Sequence, residues 1–347
     1  MSSSRRFDVV VVGGGPGGSS AAIACAEAGL RVAVLERECF PRDLPGETLH
    51  PGVEPLLQRL GVLEQVLAAD FLRHEGHWVR WGPEDDAPSP ARWMPFGKNP
   101  EAEPPWRGFQ AWRAHFDALL LQRARDAGVI VYQPCGAVDV LRGKTGRVTG
   151  VVTTSPKRAE AEGAVGLKLR ARFVVDAAGG RHWLARRLTS TIEGHSPCLI
   201  ARYGYVDGVC PGRDEAPALV ADPDGWTWTA RVRPRRYAWT RLSLRELGGE
   251  KHLLPPEELR GDGLRQWGKV RGADVSWRVV VPAAGPGYFL VGDAAAVLDP
   301  ASSHGVLKAI MSGMMTAHLV AQIVYYDDEP QPQRAVPVPQ ETRHIYL

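Results

Sequence analysis

Residues 8–36, DVVVVGGGPGGSSAAIACAEAGLRVAVLE, decide how this chain folds. Val9–Val12 is a short, continuous apolar run of the kind buried on both faces of a parallel sheet. Gly13, Gly15 and Gly18 follow in G-x-G-x-x-G spacing and open an alanine-rich helix of roughly 11 residues. Gly13 permits the tight turn, Gly15 lets backbone approach a pyrophosphate, and Gly18 lets helix and strand pack closely. The helix start adds free N–H groups and the positive end of its dipole. A second strand, Val32–Leu35, leads into Glu36 and Arg37, both candidate cofactor contacts, with the Glu36 carboxylate placed to accept ribose hydroxyls. A bare G-x-G-x-x-G occurs by chance. Strand, loop, helix, strand and acid in this order predict a site for an adenine dinucleotide.

The 347 residues give room for about two domains. A net charge of +3 excludes a nucleic-acid footprint, although a pI near 8.6 mildly favours acidic partners. The five cysteines are scattered, with no CxxC pair and no zinc-like spacing, so no metal is expected and a reducing, cytoplasmic setting fits. Cys25 falls in the first helix and reads as a small core residue. The first apolar segment is the nucleotide-binding strand itself, so no signal peptide is expected. No apolar run approaches the roughly 20 residues that span a bilayer, so no membrane is expected either.

Further along, Pro51 to Leu67 has helical spacing at Val53, Leu56, Leu57, Leu60 and Leu63. Residues 76–82, GHWVRWG, read as a strand, and residues 83–105, with seven prolines, as a long surface loop. Arg113–Ala127 predicts a helix closed by Gly128, with the strand Val129–Tyr132 behind it. Residues 136–170 read as polar β structure and 199–245 as several antiparallel strands, with Trp226 and Trp228 on one face. Tyr288–Gly292 predicts a short buried strand and His304–Tyr325 a long helix. Residues beyond Asp327 are rich in Pro and Gln and read as a tail.

Two of these segments end in acids and small residues: Phe173-Val-Val-Asp176-Ala-Ala-Gly179, and Tyr288-Phe-Leu-Val-Gly292-Asp293-Ala-Ala-Ala followed by Asp299-Pro300-Ala-Ser-Ser-His-Gly305. With the N-terminal unit they resemble the FAD fingerprints of the flavoprotein monooxygenase superfamily, which includes aromatic-ring hydroxylases, flavin-dependent halogenases and geranylgeranyl reductases. The resemblance implies an α/β fold: an FAD-binding, doubly wound parallel sheet of glutathione-reductase type with a second, antiparallel β-sheet substrate domain. It implies FAD contacts from Asp176, Gly179, Asp293, Pro300, Gly305 and Arg113, the last in AWRAHFD. The FAD-binding domain is assigned to 1–70, 106–190 and 285–326, the substrate domain to 71–105 and 191–284, and the tail to 327–347.

Gly46-Glu47-Thr48, Leu60-Gly-Val62, the strand with Gly76, Val79, Trp81 and Gly82, and Trp226-Thr-Trp228 resemble the halogenase branch. That branch uses a lysine to steer hypohalous acid. No lysine occurs from Asp43 to Gly97, and His74 and His77 occupy the stretch where it would fall. Ser302 stands where tryptophan halogenases carry a Glu. The frame, the missing lysine and Asp299-Pro-x-Ser-Ser-x-Gly305-Val look most like flavoproteins that hydroxylate tryptophan side chains during maturation of tryptophan-derived quinone cofactors. The resemblance implies a monooxygenase acting through a flavin C4a-hydroperoxide on an electron-rich ring. His304, before the flavin-side helix, is a candidate for proton transfer, with Glu47, His74 and His77 as further catalytic candidates. His50 is a weaker one. Trp226 and Trp228 are candidates to wall the substrate site, and packing of the sheet explains them equally. The six arginines from Arg231 to Arg245 fit either an acidic substrate or a solvated strand face.

One G-x-G-x-x-G, and Ala178-Gly179 where one-component hydroxylases carry an Asp-Gly pair, suggest electrons from a separate flavin reductase. Relatives usually add a helical C-terminal region over the active site, so an open site suited to a peptide or protein-bound substrate is expected. Halogenase, isoprenoid-type FAD reductase and non-enzymatic FAD-binding assembly factor stay open as alternatives.

Overall fold

A computed structural model describes residues 5–42, 44–81, 91–98, 105–154, 166–244 and 254–328. The expected nucleotide unit forms as read. Arg5–Val12 pairs in parallel with Val32–Leu35 on one side and Lys168–Asp176 on the other. Ile130–Tyr132 and Tyr288–Leu290 extend the parallel sheet at either end. The valines of the first strand feed two separate cores, Val9 and Val11 on one face, Val10 and Val12 on the other. Such two-sided burial is why the sequence there is a continuous apolar run.

Helix α1 (Pro16–Glu27) leaves the sheet at Gly13, whose φ of +106° and whose carbon-free α position against Ala177 O admit only glycine. The region read as one helix from Pro51 is two, α2 (Val53–Arg59) and α3 (Leu63–Ala68). Gly61 at φ +65° breaks the chain between them, so the apolar spacing continues while the helix does not. Helix α4 (Arg113–Asp126) follows the expected boundaries, and α5 (Trp183–Leu188) is short. Helix α6 (Gly305–Asp328) packs along α1. A Cβ on Gly313 of α6 would lie 2.4 Å from Gly17 O and 2.5 Å from Ser20 Oγ, so the two backbones touch.

Contrary to the sequence reading of apolar runs, Gly305–Tyr326 within α6 is long and apolar enough to cross a membrane by length and composition, with 33% of its most apolar window buried. Lys308 and His318 interrupt the run in sequence, and the helix reunites its apolar residues on its faces.

The second layer is a seven-stranded sheet in the order Arg265–Asp274, Ile200–Asp207, Arg236–Ser243, Gly225–Arg233, Ala218–Asp222, Gly76–Arg80, Arg92–Pro95. The Arg92–Pro95 strand lies inside the stretch read as a loop, while residues 82–90 and 99–104 lie outside the described residues, as does the tail from 329. Arg92–Pro95 is exposed along its whole length, so it gives no burial alternation for a pattern to reveal.

Between the layers, Gly108–Gln110 joins Thr48–Leu49 to Leu72–His74 in a small antiparallel sheet. It builds a chain of hydrogen bonds. Trp228 Nε1–H donates to Thr48 Oγ1 (2.9 Å), and Thr48 donates to Gln110 Oε1 (2.8 Å). Gln110 Nε2 donates to His74 Nε2 (2.9 Å), and His74 Nδ1 donates to Gly76 O (2.9 Å). Both His74 nitrogens are thereby committed in the neutral tautomer, and burial lowers its pKa to about 4. His74, a catalytic candidate by sequence, is a positioning residue inside the fold, 2% exposed.

Two outcomes follow from this packing. Gly313→Ala forces α6 off α1 and is expected to cost about 2 kcal/mol, read as a thermal midpoint several degrees lower with reduced flavin retention. His74 has a depressed folded pKa, so its contribution is full above pH 6.5 and lost as pH falls toward 4. Raised carboxyls such as Asp176 act oppositely in an overlapping window, so the test is a difference. The stability gap between wild type and His74→Asn, from denaturant unfolding, should shrink by roughly 3 kcal/mol across that range.

Candidate active site

The dinucleotide groove opens before the N-terminus of α1. Glu36, 1% exposed, accepts from Gly14 N and Glu38 N, each at 2.8 Å, which points its carboxylate at the glycine loop. Arg42 Nη1 also reaches it, at 3.2 Å. The Arg42 guanidinium is thus held beside Gly15, where a Cβ would meet only Arg42 Nη2, at 3.5 Å. Arg42 Nε is buried with no hydrogen-bond partner among the described residues. An unsatisfied guanidinium N–H above open helix N–H groups is a phosphate-binding arrangement. Sequence reasoning chose Arg37 instead, but that side chain is 46% exposed and pairs with Glu38. The signal for Arg42 was its turn, Pro41 to Gly46, which folds the chain back over the loop.

Asp293 and Gly179 follow the ends of two further strands of the same parallel sheet. Asp293 follows the strand Tyr288–Leu290, exposes its carboxylate and pairs with Lys308 Nζ at 2.9 Å. Gly179, at φ +76°, has open space where a side chain would stand. Pro300 opens a 3-10 turn capped by Asp299, which accepts from Ala301 N, and Gly305 then starts α6. These residues fit FAD: a carboxylate for ribose, N–H groups and an arginine for phosphate, an exposed carboxylate beyond them, and a second helix N-terminus.

Three expected contacts are used otherwise. Asp176 is fully buried and accepts from Ala178 N (2.9 Å) and Leu184 N (2.8 Å), so it fastens the strand end to α5. Burial raises its pKa to about 6. Arg113 grips Asp117 through two hydrogen bonds (2.8 and 3.0 Å) and donates to Pro45 O, holding the turn before Gly46. Glu47, a catalytic candidate, accepts from Tyr205 OH at 2.6 Å and ties the nucleotide unit to the second sheet. Burial pushes its carboxyl pKa up, so it is enclosed and bonded, not poised at an open surface.

A different set of rings meets between the layers. His50 and His304 stack at 4.8 Å, at the start of α6. Phe96 lies at the hub, 5.8 Å from His50, 5.3 Å from His74 and 5.8 Å from His77. His77 lies 5.6 Å from Trp228, whose indole is aimed by Thr48. His77 Nδ1 is buried without a hydrogen-bond partner among the described residues. Burial lowers the pKa of both His50 and His77, and His304 adds to the effect on His50. The ring cluster therefore combines aromatic faces, neutral histidines and, at His77 Nδ1, a polar atom unmatched among the described residues. Sequence reasoning found His77, His304 and Trp228, but it missed Phe96, Thr48 and Gln110. Trp226 is 5% exposed and packs with Leu199, Leu219 and Leu242, so it is core and not a wall.

The model of the family described as FAD binding domain matches residues 6–213. A tryptophan 2-halogenase from Chondromyces crocatus is 30% identical over 91% of this chain, which spans 61% of that enzyme's length. A 1H-pyrrole-2-carbonyl-[peptidyl-carrier protein] brominase from Pseudoalteromonas luteoviolacea (strain 2ta16) is 28% identical over 94% of this chain and 80% of its own. The structure of the myxobacterial chondrochloren halogenase superimposes with a TM-score of 0.79 and 27% identity, covering 92% of this chain and 76% of that one. Family match, fold and groove agree: the chain belongs to the FAD-binding-domain family of flavoproteins, and FAD is its cofactor.

Proposed function

We propose that this chain is an FAD-dependent monooxygenase that hydroxylates an aromatic ring, a tryptophan or indole side chain carried on a peptide or protein. A separate flavin reductase supplies the reducing equivalents. The observation that carries this reading is the cluster of aromatic rings and neutral histidines, His50, Phe96, His77 and Trp228, beside the start of α6. Bound and reduced, FAD supplies activated oxygen; the chain's own residues do the rest. Phe96 and Trp228 hold a flat ring by their faces and keep water out. His77 Nδ1 offers an unsatisfied polar atom for an indole N–H or a new hydroxyl. His304, exposed and stacked on His50, passes protons between the ring cluster and solvent.

Against halogen transfer stand His74, neutral and locked in the stretch where the branch carries its lysine, and Ser302 in place of a Glu. The tryptophan 2-halogenase favours an indole as the ring, and the brominase acting on a carrier-protein-bound pyrrole favours delivery on a protein. Halogenation is the second reading. The names of these relatives favour it, and Lys98, two residues beyond Phe96, is the amine it would use.

Incubation of a tryptophan-containing peptide with holoprotein, oxygen and chemically reduced FAD tests this. The peptide should gain the mass of oxygen, with equal yield whether or not chloride and bromide are present. A halogen in place of hydrogen would establish the second reading, and rapid flavin bleaching by NADH or NADPH alone would remove the separate reductase. Trp228→Ala should raise KM about tenfold or more at unchanged flavin absorbance, and His304→Ala should lower kcat.

A further inference from the structure

Part of the arginine-rich stretch left open by sequence converges on a single cleft of about 700 Å³ at the end of the second sheet. Arg233, Arg235, Arg236 and Arg265 line it, against one carboxylate, Asp207. That excess of three positive charges equals the formal net charge of the whole chain, +3. Only Arg236 is neutralised, by two hydrogen bonds to Asp207 at 2.7 and 2.8 Å. Arg233 also acts on Asp207 through space, but among the described residues neither it nor Arg235 nor Arg265 forms an ion pair, and all three are exposed.

The cleft is built and braced. Arg236 lies 3.8 Å over Trp267 and 5.6 Å over Trp112, and Arg233 lies 5.7 Å over Trp112. Aromatic backing fixes each guanidinium before any ligand arrives. The hairpin tip Pro234-Arg235 places Arg235 at φ +59°, a turn position where glycine is usual. Arginine is held there at a conformational cost.

Arg233 lies five residues beyond Trp228 on the same strand, roughly 16 Å away. A single ring in the cluster cannot reach it, so an anion held in the cleft belongs to something larger. We propose that this cleft docks an acidic segment of the protein that carries the reacting ring, an inference that rests on the function proposed above.

The test is anisotropy of a fluorescent oligoglutamate peptide with the FAD-loaded protein, without turnover. Binding should weaken steeply with salt. It should fall about tenfold or more in Arg233→Glu/Arg265→Glu, and less in the Gln double variant. Lys144→Glu/Arg170→Glu, exposed on the other sheet, removes the same charge and should leave binding unchanged. No binding at low salt, equal loss in both Glu variants, or displacement by equimolar pyrophosphate would overturn the docking site. The last outcome would mark a small-anion site instead. Since no turnover is needed, absence of ring oxidation is a separate result from absence of binding.

Discussion

The touching backbones of α1 and α6 are the constraint on which the remaining architecture depends. Gly313 leaves no room for a methyl between the helices, and a Cβ on Gly17 would already crowd Ala309 O at 3.2 Å. Ser20 Oγ reaches across to Ile310 O, and Gly292 N donates to Ser312 Oγ at 2.9 Å, which docks the turn carrying Asp293 on α6. The N-terminal ends of both helices are thereby gathered at one edge of the parallel sheet. Two positive dipole ends at close quarters repel one another and favour an anionic or electron-accepting group between them. A flavin dinucleotide satisfies both: phosphate at α1, and a ring system that becomes negative on reduction at α6.

The ring cluster is governed by burial more than by charge. His50, His74 and His77 are all shifted toward the neutral form, by desolvation in each case. Neutral walls suit a neutral ring, because a charged one would lose hydration with nothing to replace it. The relay from Trp228 through Thr48 and Gln110 to His74 fixes the one wall whose polar atom needs a partner. His74 is thus joined through Gln110 and Thr48 to the indole of Trp228, with both ring nitrogens already bonded within the fold.

What sequence could disclose followed from locality. The glycine loop, Glu36, the Gly292-Asp293 turn and the α6 start are each short motifs in which the chemistry and the backbone demand lie within a few residues. Both the parallel sheet and the cofactor were legible from them. Trp228 and Thr48 are 180 residues apart, and Tyr205 and Glu47 are 158 apart, so no periodicity connects either pair. Asp176 misled for the opposite reason. Its motif was right, but its carboxylate is consumed by the backbone N–H groups of Ala178 and, at the start of α5, Leu184. Phe96 escaped because it follows an exposed edge strand in a proline-rich stretch, where no burial pattern announces it.

The two layers are joined unequally, and that asymmetry bears on how a large substrate reaches the ring cluster. On one flank Tyr205 bonds Glu47 and packs 5.1 Å from Trp112 and 5.6 Å from Trp267, with Arg236 closing the stack. On the other flank the sheet ends in Arg92–Pro95, exposed throughout and held mainly by its pairing with Gly76–Arg80. Local opening is least costly where few apolar contacts are lost, which makes the Arg92–Pro95 flank cheaper to open than the Trp112 flank. The protein-borne substrate proposed above would meet a firmly packed flank at Trp112 and a thinly packed one on the side of Phe96 and Trp228.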